Sequence, residues 1–356
     1  MKRVGYIMDT VCSTDNILKA IRKASKHKKR SGIVRRVNRD PQKYAGKIRK
    51  MLLDGSYRPC DYHCKTIYDG HRKKERVIYK CKFYPDQIIH WAIMLQLEPV
   101  LRRGMYQYSC GNIKGRGPLY GKRYIQQNIR HKYKDTKYYL QLDVRKFYPS
   151  IKPELVMTLL NRKIKDRQLL YLMRKIICKE DQLPIGTLPS MMLANFVLEG
   201  LDHYIKQDMR VKCYTRHADD MMLFLPNKRR LHTIRRKIAE YLDGLGLRLK
   251  DNWQVSRTRD SISYVGYRYY RDRTILSKAT MLRASRKVRN TAKKNTWNPH
   301  NCKSILSYLG IIRHCDCRNF YLDKIKPYLI SVKRIKKIAK KGQHANLHIA
   351  KQHAAA

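Results

Sequence analysis

In a chain poor in acids, two carboxylates stand side by side at Asp219-Asp220, inside the run His217-Ala218-Asp219-Asp220-Met221-Met222-Leu223-Phe224. Adjacent carboxylates repel unless one is protonated or a cation lies between them. A divalent ion is the natural remedy, and in a protein that also binds polyphosphate it suggests Mg2+ held by a few carboxylates plus phosphate oxygens. Asp143, followed shortly by Phe147-Tyr148-Pro149, supplies a third ligand, and Val144 next to it joins the metal set. Three carboxylates with two ions about 3.5 to 4 Å apart form a clamp that activates a 3′-hydroxyl and steadies a pyrophosphate leaving group for in-line displacement. The competing reading is a pair of acids that merely turns a hairpin in solvent.

Such a clamp needs strands that end on carboxylates. Residues 138–142 read as a buried strand ending at Asp143, and 211–214 with 221–225 as a hairpin whose tip carries Asp219-Asp220. Between them, 155–177 is helical, and 188–205 is a second helix after the turn Pro184 to Gly186; 231–242 supplies a third, and 262–269 another hairpin arm. Upstream, the first 50 residues read as two basic helices, the first opening at Thr14 or Asp15. Residues 65–79 form a hairpin turning at Asp69-Gly70, 88–97 an amphipathic helix stopped by Pro99, and 110–121 a flexible basic loop. Beyond Ser277 the pattern is helical and very basic.

Lys plus Arg number 80 against 27 Asp plus Glu, a formal net charge of +53. Such an excess of one sign is hard to keep compact without a polyanion, and phosphate backbones are its usual counterpart. Hydrophobic residues still make up 43% of the 356, which excludes a disordered basic tail. At roughly 100 to 200 residues per domain, this length suits two or three lobes or one elongated enzyme. No apolar stretch approaches the roughly 20 residues of a membrane span. The basic start Met1-Lys2-Arg3 is not followed by an apolar segment, so a cytoplasmic location is expected. Ten Cys are scattered without paired C-x-x-C spacing, and reduced thiols are the default; Cys60 to Cys64 with His63, and His314-Cys315 with Cys317, are the compact clusters.

These residues together resemble the reverse transcriptases, whose palm carries one Asp after a strand and a Tyr-x-Asp-Asp hairpin, here Asp143 and His217-Ala218-Asp219-Asp220. Leu183-Pro184-Ile185-Gly186 is similar to the family's Leu-Pro-Gln-Gly turn, with Ser190 following at the expected place. Tyr264-Val265-Gly266-Tyr267 resembles the primer grip, and Lys74-Glu75-Arg76-Val77-Ile78 the basic strand of the fingers. The elements occur in the family's order over roughly residues 55 to 270.

The resemblance implies an α+β, right-hand polymerase fold with fingers and palm, antiparallel sheet plus helices, and a small helical thumb. The expected division is a basic helical extension at 1–54, fingers at 55–136, palm at 137–276, thumb at 277–342 and a tail at 343–356. It implies an RNA-directed DNA polymerase that uses two Mg2+ ions, with Mn2+ as an alternative, and takes template RNA, a primer or cDNA, and dNTPs. Asp143, Asp219 and Asp220 are then the catalytic acids. Lys74 and Arg76 share one face of their strand and hold the triphosphate or template; Tyr148 stands as an aromatic wall against the sugar 2′-oxygen; Ile185 and Gly186 meet the nascent pair. His217, Ser190, Tyr264 and Gly266 belong to the motif and primer-grip set. Lys250 is a candidate for the acid that protonates pyrophosphate, with Arg248 or a plain surface lysine as the alternatives.

Most retroviral, intron and retron enzymes carry Gln where Ile185 stands. A branched aliphatic residue there resembles the enzymes of diversity-generating retroelements, which copy a template RNA with errors at adenines, and Leu193 to Asn195 with Leu201-Asp202-His203 is similar to that lineage. Met191 and His217 depart from its pattern, where Gln and Tyr are usual. The resemblance thus implies a bacterial or phage-encoded enzyme, with a structured non-coding RNA and an accessory protein as partners. Defence-associated bacterial reverse transcriptases are the alternative, and a non-catalytic RNA-binding protein is the alternative of another class.

Overall fold

A computed structural model describes residues 3–28, 30–69 and 74–340; the turn at Gly70, the side chains of Asp69 and Lys74, and the tail 343–356 lie outside the described residues. The strands are β1 (His63–Asp69), β2 (Lys74–Lys80), β3 (Ser109–Cys110), β4 (Tyr138–Leu142), β5 (Cys213–His217), β6 (Asp220–Leu225), β7 (Gln254–Arg257), β8 (Ile262–Tyr264), β9 (Tyr267–Tyr269) and β10 (Thr274–Leu276). The chain divides into two compact units. One comprises the residues up to Gly117, Leu140–Phe224 and Lys228–Val255; the other comprises Pro118–Tyr139, Leu225–Asn227 and the residues from Ser256 on.

Most residues of a five-stranded sheet, in the order β3-β5-β6-β4-β7, belong to the larger unit. Apolar runs make its middle strands: Met221, Met222 and Leu223 of β6 are fully buried, as is Leu140 of β4. Helices Pro153–Lys163, Arg167–Ile177 and Leu188–Val197 belong to this unit; the first two present a buried apolar stripe and the third is buried almost all round. The expected single helix over 155–177 is therefore two. Ile164 leaves the first to bridge Val4, and Asp166 caps the second, accepting from Leu169 N at 3.1 Å. The helix expected over 188–205 likewise breaks, at Leu198, into Leu188–Val197 and Glu199–His203.

The N-terminal basic segment forms four helices rather than two: Ile7–Val11, Thr14–Ser25, Gly32–Arg39 and Pro41–Leu53. Local capping explains the extra breaks. Ser13 accepts from Asn16 N at 3.3 Å and opens the second helix, and Asp40 accepts from Lys43 N at 3.1 Å with Pro41 as the first helical residue. Helix Ile88–Arg102 runs through Pro99 instead of stopping there. A proline inside a helix costs about 3 kcal/mol, and here the buried Val100 and Leu101 beyond it supply apolar packing that offsets the lost bond. Hairpin β1/β2, expected over 65–79, is antiparallel with Ile67 opposite Arg76.

The smaller unit holds helix Pro118–His131, the antiparallel sheet β10-β9-β8, and the helices Lys278–Lys293, Pro299–Ile312 and Arg318–Lys324. The basic loop expected over 110–121 is thus shorter: Cys110 is in β3 and a helix begins at Pro118. Ser277 and Asn298 cap the first two helices after the sheet. Asp316 ties a later loop to the sheet, its Oδ2 accepting from Thr274 N at 2.8 Å. Among the described residues no helix is long and apolar enough to cross a membrane, and the ten cysteines form no disulfide.

Candidate active site

Strand β5 runs into a two-residue turn and returns as β6, with His217 opposite Asp220. Asp219 is therefore in the turn and Asp220 is the first residue of β6. Ala218, the other turn residue, takes the left-handed conformation at φ 56°, which an L side chain adopts only under constraint. The constraint comes from the two peptides that flank it. Ala218 N donates to Cys110 O at 2.9 Å, because β3 lies parallel to β5, and Ala218 O accepts from Arg216 Nη1 at 2.7 Å.

Beneath this turn lies a buried polar cluster. Arg216 Nε and Nη2 donate to Asp202 Oδ1 and Oδ2 at 2.9 and 2.6 Å. Nη1 also reaches Asn195 Oδ1 at 3.0 Å, and Asn195 Nδ2 donates to Gly111 O at 2.9 Å. Both side chains of the ion pair are 0% exposed. Burial pulls the Arg216 pKa down, but the charge and hydrogen bonds of Asp202 outweigh it and the net shift is upward. Gly111, at φ 90°, passes so close that a Cβ would lie 3.1 Å from Ala218 N and 3.2 Å from the His217 ring. His217 is half-buried and its Nδ1 is enclosed with no hydrogen-bond partner. Burial lowers its pKa, and the nearby charge of Asp219 works against that.

Asp143 follows the last residue of β4, the strand beside β6. Val144 is fully buried and bridges Leu249 in antiparallel fashion, so the 248–250 segment continues the pairing past the strand end. Lys250 N donates to Asp143 O at 2.8 Å, and the Lys250 ammonium pairs with Asp143 Oδ2. The other carboxylate oxygen, Oδ1, is buried and makes no hydrogen bond.

Tyr148 lies in the short helix Phe147–Ser150 and feels the charge of Asp219. Its hydroxyl is pushed up to about 12, first by burial and then by the charge of Asp219, while a hydrogen bond from Asn112 pulls the other way. Asn112 Nδ2 is 3.4 Å from that hydroxyl. Phe147 is buried against the Tyr148 ring, edge to face at 5.6 Å between centroids, which makes it a packing residue.

The turn Leu183 to Gly186 receives hairpin β1/β2. Tyr79 N donates to Ile185 O at 2.7 Å, and Gly186, at φ 108°, lies where a Cβ would come within 2.7 Å of Ile78 and 2.9 Å of Tyr79 O. Arg76, three residues before Tyr79, is exposed on the hairpin. Ser190 is buried, and its hydroxyl is 2.6 Å from that of Thr187 in the cap of helix Leu188–Val197. Its role in the structure is to help start that helix. Tyr264 and Gly266 belong to the other compact unit, where Val265 and Gly266, at φ 46° and 81°, make the tight turn between β8 and β9.

Residues that sequence reasoning passed over are Arg216 and Asn112. Asn195 and Asp202 had stood out only as lineage marks; their partners in space carry no periodic signal. Among the described residues no three His, Cys, Asp or Glu side chains are grouped closely enough to hold a metal ion. The donor set nevertheless suits a hard divalent cation: carboxylate oxygens at adjoining strands, one of them, Asp143 Oδ1, enclosed without a partner.

Comparison with known proteins bears on the family of the chain. A retron Ec73 reverse transcriptase from Escherichia coli is 34% identical over 116 residues, covering 28% of this chain and 37% of that protein. The chain thus spans well under half of that relative's length. A telomerase structure from Candida albicans, solved with a fragment of telomeric RNA, aligns with TM-score 0.48 and 11% identity over 80% of this chain and 58% of the other. One of apo telomerase from Candida tropicalis aligns with TM-score 0.45 and 13% identity over 64% and 58%. These two likenesses are too slight to bear on the assignment, which rests on the match of residues 68–269, more than half of the chain, to the family described as reverse transcriptase (RNA-dependent DNA polymerase). With its sheet, its helices and its paired acids in the order described, the chain belongs to the reverse transcriptase family and has the α+β fold of a right-hand polymerase.

Proposed function

We propose that the chain is an RNA-directed DNA polymerase that extends a primer along a template RNA with dNTPs. The observation that carries this reading is the adjacency of β4 and β6: Asp143 directly follows the strand beside the one that opens with Asp220. Asp143, Asp219 and Asp220, with Val144 beside them, hold Mg2+ or Mn2+. Bound divalent ions supply activation of the primer 3′-hydroxyl and neutralisation of the leaving pyrophosphate. The chain's own groups do the rest. Arg76 and Lys74 hold the triphosphate, Ile185 and Gly186 meet the nascent pair, and Tyr148 walls off the 2′-position and so favours deoxynucleotides. Tyr264 and Gly266 serve as primer grip, His217 and Ser190 belong to the motifs that shape the site, and Lys250 returns a proton to pyrophosphate.

In this reading residues 55–136 serve as fingers, 137–276 as palm and 277–342 as thumb, while the basic helices of 1–54 hold a structured RNA. The side chain at 185 supports a further step: a half-buried isoleucine has no hydrogen bond to offer a base pair, so selection rests on shape. We accordingly propose error-prone cDNA synthesis of the diversity-generating kind, with an accessory protein, the defence-associated enzymes being the alternative. Purified protein with primed RNA, dNTPs and Mg2+ should extend the primer, and Asp219→Ala should abolish extension; full activity in that variant overturns the polymerase. Sequenced cDNA should carry errors concentrated at template adenines, and faithful or untemplated product favours the alternative.

A further inference from the structure

The guanidinium of Arg216 has five N–H groups, and each is engaged inside the protein. Nε and one N–H of Nη2 meet Asp202 at 2.9 and 2.6 Å, and the second N–H of Nη2 meets Asn195 O at 3.4 Å. Nη1 meets Asn195 Oδ1 at 3.0 Å and Ala218 O at 2.7 Å. Asp202 takes a further bond from the Tyr214 hydroxyl at 2.7 Å. A buried ion pair is a poor device for stability alone, since an apolar group of similar volume is often as good or better. What an apolar residue could not do is hold the Ala218 carbonyl.

That carbonyl belongs to the peptide joining Ala218 to Asp219. Its plane sets where Asp219 leaves the backbone, and Ala218 is in a left-handed conformation that does not persist unaided. We propose that Arg216 is a positioning residue: braced by Asp202 and Asn195, it clamps the Ala218–Asp219 peptide and thereby fixes the direction of the Asp219-Asp220 carboxylates. Through Asn195 the same clamp reaches Gly111 O, at the end of the strand whose Cys110 O holds Ala218 N. The site's acids are thus oriented by a fully buried cation that touches no substrate. This inference rests on the polymerase reading for its kinetic consequences, but not for its metal-binding ones.

The test is Arg216→Lys. A lysine keeps the charge opposite Asp202 but lacks the planar fork that reaches Asp202 and Ala218 O together. Extension by the folded variant should fall about 100-fold in kcat, with the KM for dNTP within about threefold of wild type. Mn2+ binding by the free protein, read by electron paramagnetic resonance, should weaken about tenfold or more. Asn195→Ala, which leaves the ion pair intact, should show the same split in smaller measure. Wild-type kcat and wild-type Mn2+ binding in a folded Arg216→Lys overturn the proposal. If that variant does not fold, unchanged kinetics and Mn2+ binding in Asn195→Ala overturn it, and failure of both to fold does so too, because the network is then merely structural. A wild-type protein that extends nothing yet binds Mn2+ in an Arg216-dependent way would sink the polymerase reading and leave the clamp standing.

Discussion

Lys250 grips Asp143 twice, its backbone N–H on the carbonyl at 2.8 Å and its ammonium on Oδ2. The double contact fixes the lysine at the end of β4. The side chains are 28% and 22% exposed, so water screens the pair and its contribution to stability is at most about 1 kcal/mol. Lys250→Met should therefore barely shift the thermal midpoint while slowing single-turnover extension by roughly 100-fold or more, the usual range for loss of a general acid. Rapid-quench measurement decides it, and a wild-type rate would return Lys250 to the plain surface role.

Gly186 is the point where hairpin β1/β2 docks. Gly186→Ala would force a Cβ to within 2.7 Å of Ile78 and impose a left-handed φ of 108° on an L residue, a strain of about 1–3 kcal/mol. The expected result is a lower melting temperature together with a raised KM for dNTP, since Arg76 rides on the displaced hairpin. An unchanged KM in the folded variant would detach the hairpin from nucleotide binding.

Tyr148 stays protonated throughout the neutral range, its hydroxyl pushed up to about 12. Its function in the site is then steric and not acid–base. Tyr148→Ala should raise the ratio of ribonucleotide to deoxynucleotide use by about tenfold or more, the scale of one pocket group. Competition between rNTP and dNTP on one primed template measures it, and a constant ratio refutes the wall.

His90 is buried in helix Ile88–Arg102, and burial lowers its pKa to about 4 from 6.5. Its Nδ1 faces Cys81 Sγ at 3.7 Å. The unfolded chain binds the proton more readily than the folded one between these values, so the stability that neutral His90 confers is complete above pH 6.5 and is lost as pH falls toward 4. The span corresponds to about 3 kcal/mol. Urea unfolding of wild type and His90→Gln at pH 7 and pH 4.5 should show a steeper loss in wild type; equal losses would contradict the assignment.

The parts of this site that the sequence announces are those with local signatures. An apolar run ending in Asp143, a hairpin tipped by Asp219-Asp220 and a glycine turn at Gly186 each follow from a few neighbouring residues, and each stands where its pattern placed it. Helix ends were less legible. Ser13, Asp40 and Asp166 cut the chain through single side-chain bonds, and Pro99 was overruled by the apolar residues after it. Arg216 was invisible for a different reason. Next to His217 it reads as one more cation among 80, and only the fold shows that it faces Asp202 and Asn195 and not solvent.

The Arg216–Asp202 contact also constrains how such a chain can diverge. Removing the charge of either partner alone strands the other in the core, which costs about 3–5 kcal/mol, a large share of what holds a domain together. A descendant that loses one of these charges must lose the other as well, so two sites 14 residues apart are tied as one character.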